Sequence, residues 1–318
     1  MRRPPRRSTP AGEHRPVLLA QVLEVLSPRP GAVIVDCTLG FAGHAEALAR
    51  AVGPTGKLVG LDWDAGNLAR AAERLAPLGV PHALHHANFA GLPSVLGAEG
   101  IEAVDGLLAD LGMSSMQVDD PERGFSYVRD GPLDMRMDRS RGPSAAELLA
   151  SLNAEQIAQA LAEYGDEPAA QRLARAIVSA RSRQPIQRTS DLVRIIGEAL
   201  QVPVERGGGW RLRPNRQRWQ THPAARTFQA LRILVNRELA NLRELLRVLP
   251  SCLKPGGRAA IISFHSGEDR LVKSAFRSGL EQGVYDLAAE TPLRADFAEK
   301  QANPRSRSAK LRWVQRSR

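Results

Sequence analysis

Cysteine is scarce in this chain of 318 residues: Cys37 and Cys252 are the only two. Two cysteines build neither a disulfide framework nor a cysteine-rich zinc site, and they point to a reduced compartment. No stretch approaches the roughly 18 consecutive apolar residues that a transmembrane helix requires. The basic start, MRRPPRRSTP, is followed by no apolar segment, so no secretory signal is expected and the cytoplasm is the expected location. No phosphate-binding P-loop occurs and there is no internal repeat. His82, His85 and His86 share one short run without partner ligands, so no metal is expected.

Acidic residues are missing from three segments. Residues 1–12 hold four arginines, 206–237 hold eight, and 303–318 hold six basic residues, none with an acid. The whole chain carries a formal charge of +10. These segments exceed that surplus, so the remaining body is mildly acidic. Concentrated positive charge on such a body suits a polyanion such as nucleic acid; solvated arginine-rich tails would give the same count. The length suits one large domain or two moderate ones.

What is present is a βα rhythm. Residues 18–26 have helical apolar spacing. AVIVDC (32–37) reads as a strand, 43–52 as a helix, KLVGLD (57–62) as a second strand and 65–77 as a helix. HALHHA (82–87) is a weak third strand and DGLLADLG (105–112) a fourth. Such alternation predicts a parallel sheet covered on both faces. It stops near Asp120. Helices are predicted over 144–165, 169–183 and 190–200, with Ser144 and Glu147 at capping-box spacing. A Gly- and Pro-rich loop occupies 207–219. One long helix over about 224–249 follows, ended by KPGG (254–257). A strand over 258–264 comes next, and KLRWVQR (310–316) is available as a last strand. The expected layout is a disordered basic arm (1–12), an α/β core (13–119 and 223–318) and an inserted helical domain (120–222).

Chemistry-bearing residues collect at strand ends. Asp36 closes the first strand and runs into TLGFAGHA, where Gly40 and Gly43 permit close backbone approach. Asp62 closes the second strand, placed to accept hydrogen bonds from ribose hydroxyls. The pattern GxxGH departs from GxGxxG, so NAD fits poorly and S-adenosylmethionine fits better; a plain connecting turn, with His44 a surface residue, stays open. Asp110 ends the fourth strand. An acceptor there could take the hydrogens of an exocyclic amine during methylation, or merely position a ligand. The signature of amino-methylating enzymes, an Asp or Asn followed by two prolines and an aromatic, is only partly matched by Asp110-Leu111-Gly112-Met113. DGPLDMRMD (130–138) is either a loop closing on substrate or a linker. His265, in SFHSGEDR, is a weaker candidate base; the alternative is that Ser263 and His265 order the loop while Glu268 and Asp269 begin a helix. Cys37 follows a buried strand and reads as core.

Four segments together, DCTLGFAGH, LADLGMSSMQVDDPERGFSYVRDGPLDMRMD, HPAARTFQALRILVNREL and IISFHSGEDR, closely resemble the bacterial RsmH (MraW) family, from about Glu13 to Arg318. The resemblance implies a Rossmann-like class I methyltransferase core with an inserted all-helical domain for RNA recognition. It implies S-adenosylmethionine as cofactor and the 4-amino group of a cytidine in the decoding region of 16S ribosomal RNA as target, within the small subunit. Cofactor positions fall on Ala42, Gly43, His44, Asp62, Phe89, Asp110 and Gln117. The loop arginines Arg211, Arg213, Arg216 and Arg218 are expected to grip RNA. The family usually shows Gly-Gly-His-Ser where this chain has Ala42-Gly43-His44-Ala45, and Leu where it has Gly267. A DNA amino-methyltransferase would share the core, and a non-enzymatic RNA-binding assembly factor would need the basic segments but no cofactor site. A homodimer stays open.

Overall fold

The computed structural model describes residues 15–113, 115–202 and 222–318. In chain order the elements are α1 (Leu19–Leu26), β1 (Val33–Asp36), α2 (Gly43–Val52), β2 (Lys57–Asp62), α3 (Ala65–Leu75), β3 (His82–His86), α4 (Leu92–Ala98) and β4 (Val104–Asp110). Then come α5 (Ser115–Asp119), α6 (Ala145–Ser151), α7 (Ala154–Gly165), α8 (Ala170–Arg181), α9 (Thr189–Leu200) and α10 (Ala225–Asn236). Last are α11 (Glu238–Cys252), β5 (Leu253–Ser263), α12 (Ser266–Glu281), β6 (Tyr285–Ala288), α13 (Phe297–Ala302) and β7 (Lys310–Arg316). They divide into two compact units, one built from the described residues up to Gly112 with Leu239–Arg318, the other from Met113–Glu238. These limits differ from the 120 and 222 expected from the pattern of helices.

The first unit is a seven-stranded sheet in the order β3-β2-β1-β4-β5-β7-β6. Strands β1 to β5 run parallel, while β7 pairs antiparallel with both β5 and β6. The order reverses between β1 and β4. An open α/β sheet binds ligands beyond the carboxyl ends of its strands at such a point, so Asp36, Asp62 and Asp110 stand on one rim.

Alternation fixes which face each side chain joins. Ile34, Leu58, Leu108 and Ile262 enter one apolar cluster with α1, α2 and α3. Val35, Val59, Leu107 and Ile261 enter the other with α4, α11 and α12. Each fully buried Leu or Ile contributes about 1.5–3 kcal/mol. Gly60 and Gly106 are the thin places: a Cβ on Gly106 would lie 2.5 Å from Ile34 Cδ1.

The second unit has its own core, centred on Leu161, Leu173, Ile177, Leu192, Ile196 and Leu231. Two expected single helices are each two. The run 144–165 breaks because Asn153 starts a new helix: its side chain accepts from Gln156 N–H at 2.9 Å, and Gln156 returns the bond to Asn153 N–H. The run 224–249 breaks at Arg237, which is left-handed at φ 51°. Asn236 causes the turn, donating to Met135 O (2.7 Å) and accepting from Met137 N–H (2.7 Å). KPGG is not a terminator either; it lies in the irregular start of β5, where Gly256 has φ +76°.

Candidate active site

The glycine turn between β1 and α2 is tied down by carboxylates. Asp36 Oδ1 accepts Thr38 N–H at 3.0 Å, and the Thr38 hydroxyl in turn accepts the Asp110 N–H at 2.6 Å. Thr38 thereby joins the ends of β1 and β4. Asp62 Oδ2 accepts Gly40 N–H at 2.7 Å; its Oδ1 accepts Asp64 N–H at 2.7 Å and Asn67 Nδ2 at 3.1 Å. So Asp62 holds the turn's shape with three of the roughly four acceptor positions a carboxylate has. Ala42, the residue before α2, is fully buried with φ 58°. A left-handed residue with a Cβ costs roughly 1–2 kcal/mol, a strain that the family's usual glycine avoids.

His44 is a buried residue of the site, not a surface one. Its Nε2 donates to Val17 O at 2.8 Å, which leaves Nδ1 facing Asp110 Oδ2 at 3.8 Å. Burial pushes the imidazole pKa down, against the pull of Asp36. Asp36 is 1% exposed, and burial raises its carboxyl to about 6, with His44 and the Thr38 amide opposing. Asp62 is also shifted upward by burial.

Asp110 stands out. Its side chain keeps about 20% of its surface accessible, yet Oδ1 is buried and has no hydrogen-bond partner among the described residues. Burial raises its pKa to about 7, the Gly112 amide and Arg305 pull it down, and Glu268 pushes it up. A buried acceptor without a donor costs about 1–3 kcal/mol. Among the described residues the site therefore presents acids with no lysine or arginine at ion-pair distance, His44 beside them, and one open acceptor.

The end of β5 closes another side. Gly112 is pressed against Phe264, whose ring would meet a Cβ at 2.7 Å. His265 caps α12, and Glu268 reciprocates, its Oε2 accepting Phe264 N–H at 2.8 Å. His265 Nε2 lies 3.1 Å from Glu268 Oε1 without hydrogen-bond alignment. A Cβ on Gly267 would meet the His265 ring at 3.2 Å. The imidazole is thus committed to ordering its loop, and Asp269 pairs with Lys310 and Arg312 at 2.8 Å each.

Phe89 follows β3 in a short turn, half-buried against the cluster containing Val35 and Leu61. Gln117 belongs to the second unit, in α5, and is buried. Arg211, Arg213, Arg216 and Arg218 lie outside the described residues, as does the arm 1–12. DGPLDMRMD is knitted within the second unit: Asp134 pairs with Arg136 through two bonds (2.7 and 2.9 Å) and Asp130 with Arg188 at 2.8 Å.

Among the described residues no group of acids, histidines and cysteines could hold a metal, and no helix is long and apolar enough to cross a membrane. His85 is bound to Glu99 at 2.9 Å. Burial raises the Cys37 thiol well above its usual value, which removes it as a nucleophile. Sequence reasoning missed Thr38, Asn67 and the Val17 carbonyl. Only Thr38 carried a signal, its place after a strand-ending acid.

The sequence profile of the MraW methylase family matches residues 11–317. Three relatives carry the name ribosomal RNA small subunit methyltransferase H. The protein of Geotalea daltonii is 46% identical, over 96% of this chain and 98% of its own. That of Symbiobacterium thermophilum is 45% identical over 96% of each. That of Citrifermentans bemidjiense is 45% identical over 95% and 98%. The chain belongs to the MraW methylase family, and its methyl donor is S-adenosylmethionine.

Proposed function

We propose that this enzyme methylates the exocyclic 4-amino group of a cytidine in the decoding region of 16S ribosomal RNA, in the cytoplasm and in the context of the small subunit. Support comes from the names of the relatives and from the four family segments. The observation that carries the chemistry is Asp110 Oδ1, an orphan acceptor among the described residues, on a rim of three acids. Such a rim fits a group bearing positive charge and N–H donors, as S-adenosylmethionine does. That cofactor, when bound, supplies an electrophilic methyl on a sulfonium.

The chain's own residues then have distinct tasks. Ala42, Gly43 and His44 offer the turn that the cofactor lies against. Asp62 keeps that turn in shape and has one acceptor position left for a ribose hydroxyl. Phe89 would supply an apolar face for the adenine. Asp110 accepts a hydrogen bond from the target amine, so the nitrogen lone pair points along the line of transfer; alignment of this kind can contribute on the order of 7–11 kcal/mol. At a pKa of about 7 the same carboxylate can take the proton that the amine gives up. The target base must leave its stack to reach the rim. The inserted unit, with Arg211, Arg213, Arg216 and Arg218, would hold phosphates.

The test is mass spectrometry of nuclease-digested 16S RNA from cells lacking the protein, before and after the purified enzyme and donor are added to their small subunits. A 4-amino-methylated cytidine should appear only after addition. Its failure to appear, or methyl transfer onto DNA instead, would overturn the reading; donor binding without transfer to either would favour an assembly factor.

A further inference from the structure

Phe297, the first residue of α13, is 77% exposed, the most exposed large apolar side chain among the described residues. Isolated exposed apolar residues are common; what distinguishes this one is its surroundings. Leu280 and Leu287, also exposed, adjoin Glu281 and Asp286. Phe297 instead sits in a segment with Arg294, Lys300, Arg305 and Arg307. The two acids of that segment are occupied by backbone amides. Asp296 accepts Glu299 N–H at 2.7 Å, and Glu299 accepts Leu18 N–H at 2.7 Å. Arg294 and Arg307 are exposed, and no carboxylate among the described residues pairs with them.

The position of this segment adds two further facts. Asn303 Nδ2 donates to Arg15 O at 3.1 Å. Arg15 and Leu18, ahead of α1, are thus held by hydrogen bonds to Asn303 and Glu299. Glu299 accepts Leu18 N–H, and the carbonyl of the preceding residue, Val17, accepts from His44 Nε2 at 2.8 Å, so two hydrogen bonds tie the segment to the rim.

We infer that α13 and the turn at 304–307 form a binding surface for single-stranded RNA next to the target nucleotide, with Phe297 stacking on a base and Arg294 and Arg307 holding the flanking phosphates. An aromatic face accepts any base, whereas a cation accepts any phosphate; interleaving the two is how a surface selects unpaired nucleic acid over a plain polyanion. The inference rests on the RNA reading above and adds to it a contact surface on the catalytic unit.

The full-length protein is titrated with a labelled single-stranded RNA of about 12 nucleotides and with an abasic ribose-phosphate oligomer of equal length. The unaltered protein should prefer the RNA. Phe297→Ala should lose about tenfold on the RNA and nothing on the abasic chain, and Phe297→Tyr should restore binding. Arg294→Ser with Arg307→Ser should weaken both ligands and flatten the salt slope by roughly 0.7 per lost contact. In methyl transfer, Phe297→Ala should raise KM for RNA with kcat and cofactor KM unchanged. If Phe297→Ala binds RNA as the unaltered protein does while small subunits are still methylated, this surface is wrong and the RNA reading stands. If the unaltered protein neither binds nor methylates RNA, both fail. If Phe297→Ala instead abolishes self-association in sedimentation and leaves RNA binding intact, the surface is a protein contact and the inference is overturned.

Discussion

The same side chain is treated in opposite ways in the two units. On the rim of the sheet, buried Asp36 and half-buried Asp110 have no lysine or arginine at hydrogen-bond distance among the described residues, and their pKa values rise to about 6 and about 7. In the 130–141 stretch of the second unit, Asp130 and Asp134 sit against Arg188 and Arg136, and both are held below the usual carboxylate range despite burial that pushes upward. The second arrangement is structural: charge meets charge and the loop is fixed. The first leaves the carboxylates without a directly paired arginine or lysine among the described residues, which costs stability and is characteristic of sites that receive a ligand.

Neutralising one carboxylate of each kind separates the two arrangements. Asp110→Asn should lower methyl-transfer turnover by about 10²- to 10⁴-fold, measured under single-turnover conditions with cofactor saturating. The same variant should be more stable at pH 8, on the order of 2 kcal/mol by thermal unfolding. The sign follows from its raised pKa. Unfolded Asp110 ionises near 3.8 and the folded group near 7, so its contribution to stability falls as pH rises between those values and the penalty is complete above 7. An Asp110→Asn variant with normal turnover would return Asp110 to a positioning role.

Asp134→Asn should do the reverse. It strands the Arg136 guanidinium and should lower the unfolding free energy by about 2–3 kcal/mol. Here the folded pKa is depressed, so the stabilisation is present above the unfolded value of 3.8 and is lost as pH falls through the folded one. Cofactor affinity of the folded variant should be unchanged. A large loss of affinity in that variant would mean that the loop serves the site and not only its own fold.

Much of the rim was legible in the sequence. Short β-branched runs ending in Asp36, Asp62 and Asp110 placed three acids on one edge, because a parallel sheet puts all carboxyl ends together. The role of His44 was not legible, since its partner Val17 O lies 27 residues away and belongs to the segment before α1. The break at Arg237 was hidden for the same reason: Asn236 is bonded to Met135 and Met137, about a hundred residues earlier. The break at Asn153 was readable, as Asn-x-x-Gln is a capping pattern, but continuous apolar spacing across it masked the signal. The antiparallel direction of β7 follows from chain return, which a strand's composition does not encode.

On the proposed reading, the acids of the rim lack a paired arginine or lysine among the described residues because the ligand brings positive charge. Calorimetric titration with S-adenosylmethionine and with S-adenosylhomocysteine, which lacks the sulfonium charge, between pH 5 and 8 tests it most directly. As pH falls through 7 and then 6, Asp110 and Asp36 protonate, and affinity for the sulfonium donor should drop by about tenfold, equivalent to 1.4 kcal/mol, while affinity for the zwitterionic product, which has no net charge, changes much less. Parallel pH profiles for the two ligands would contradict the account.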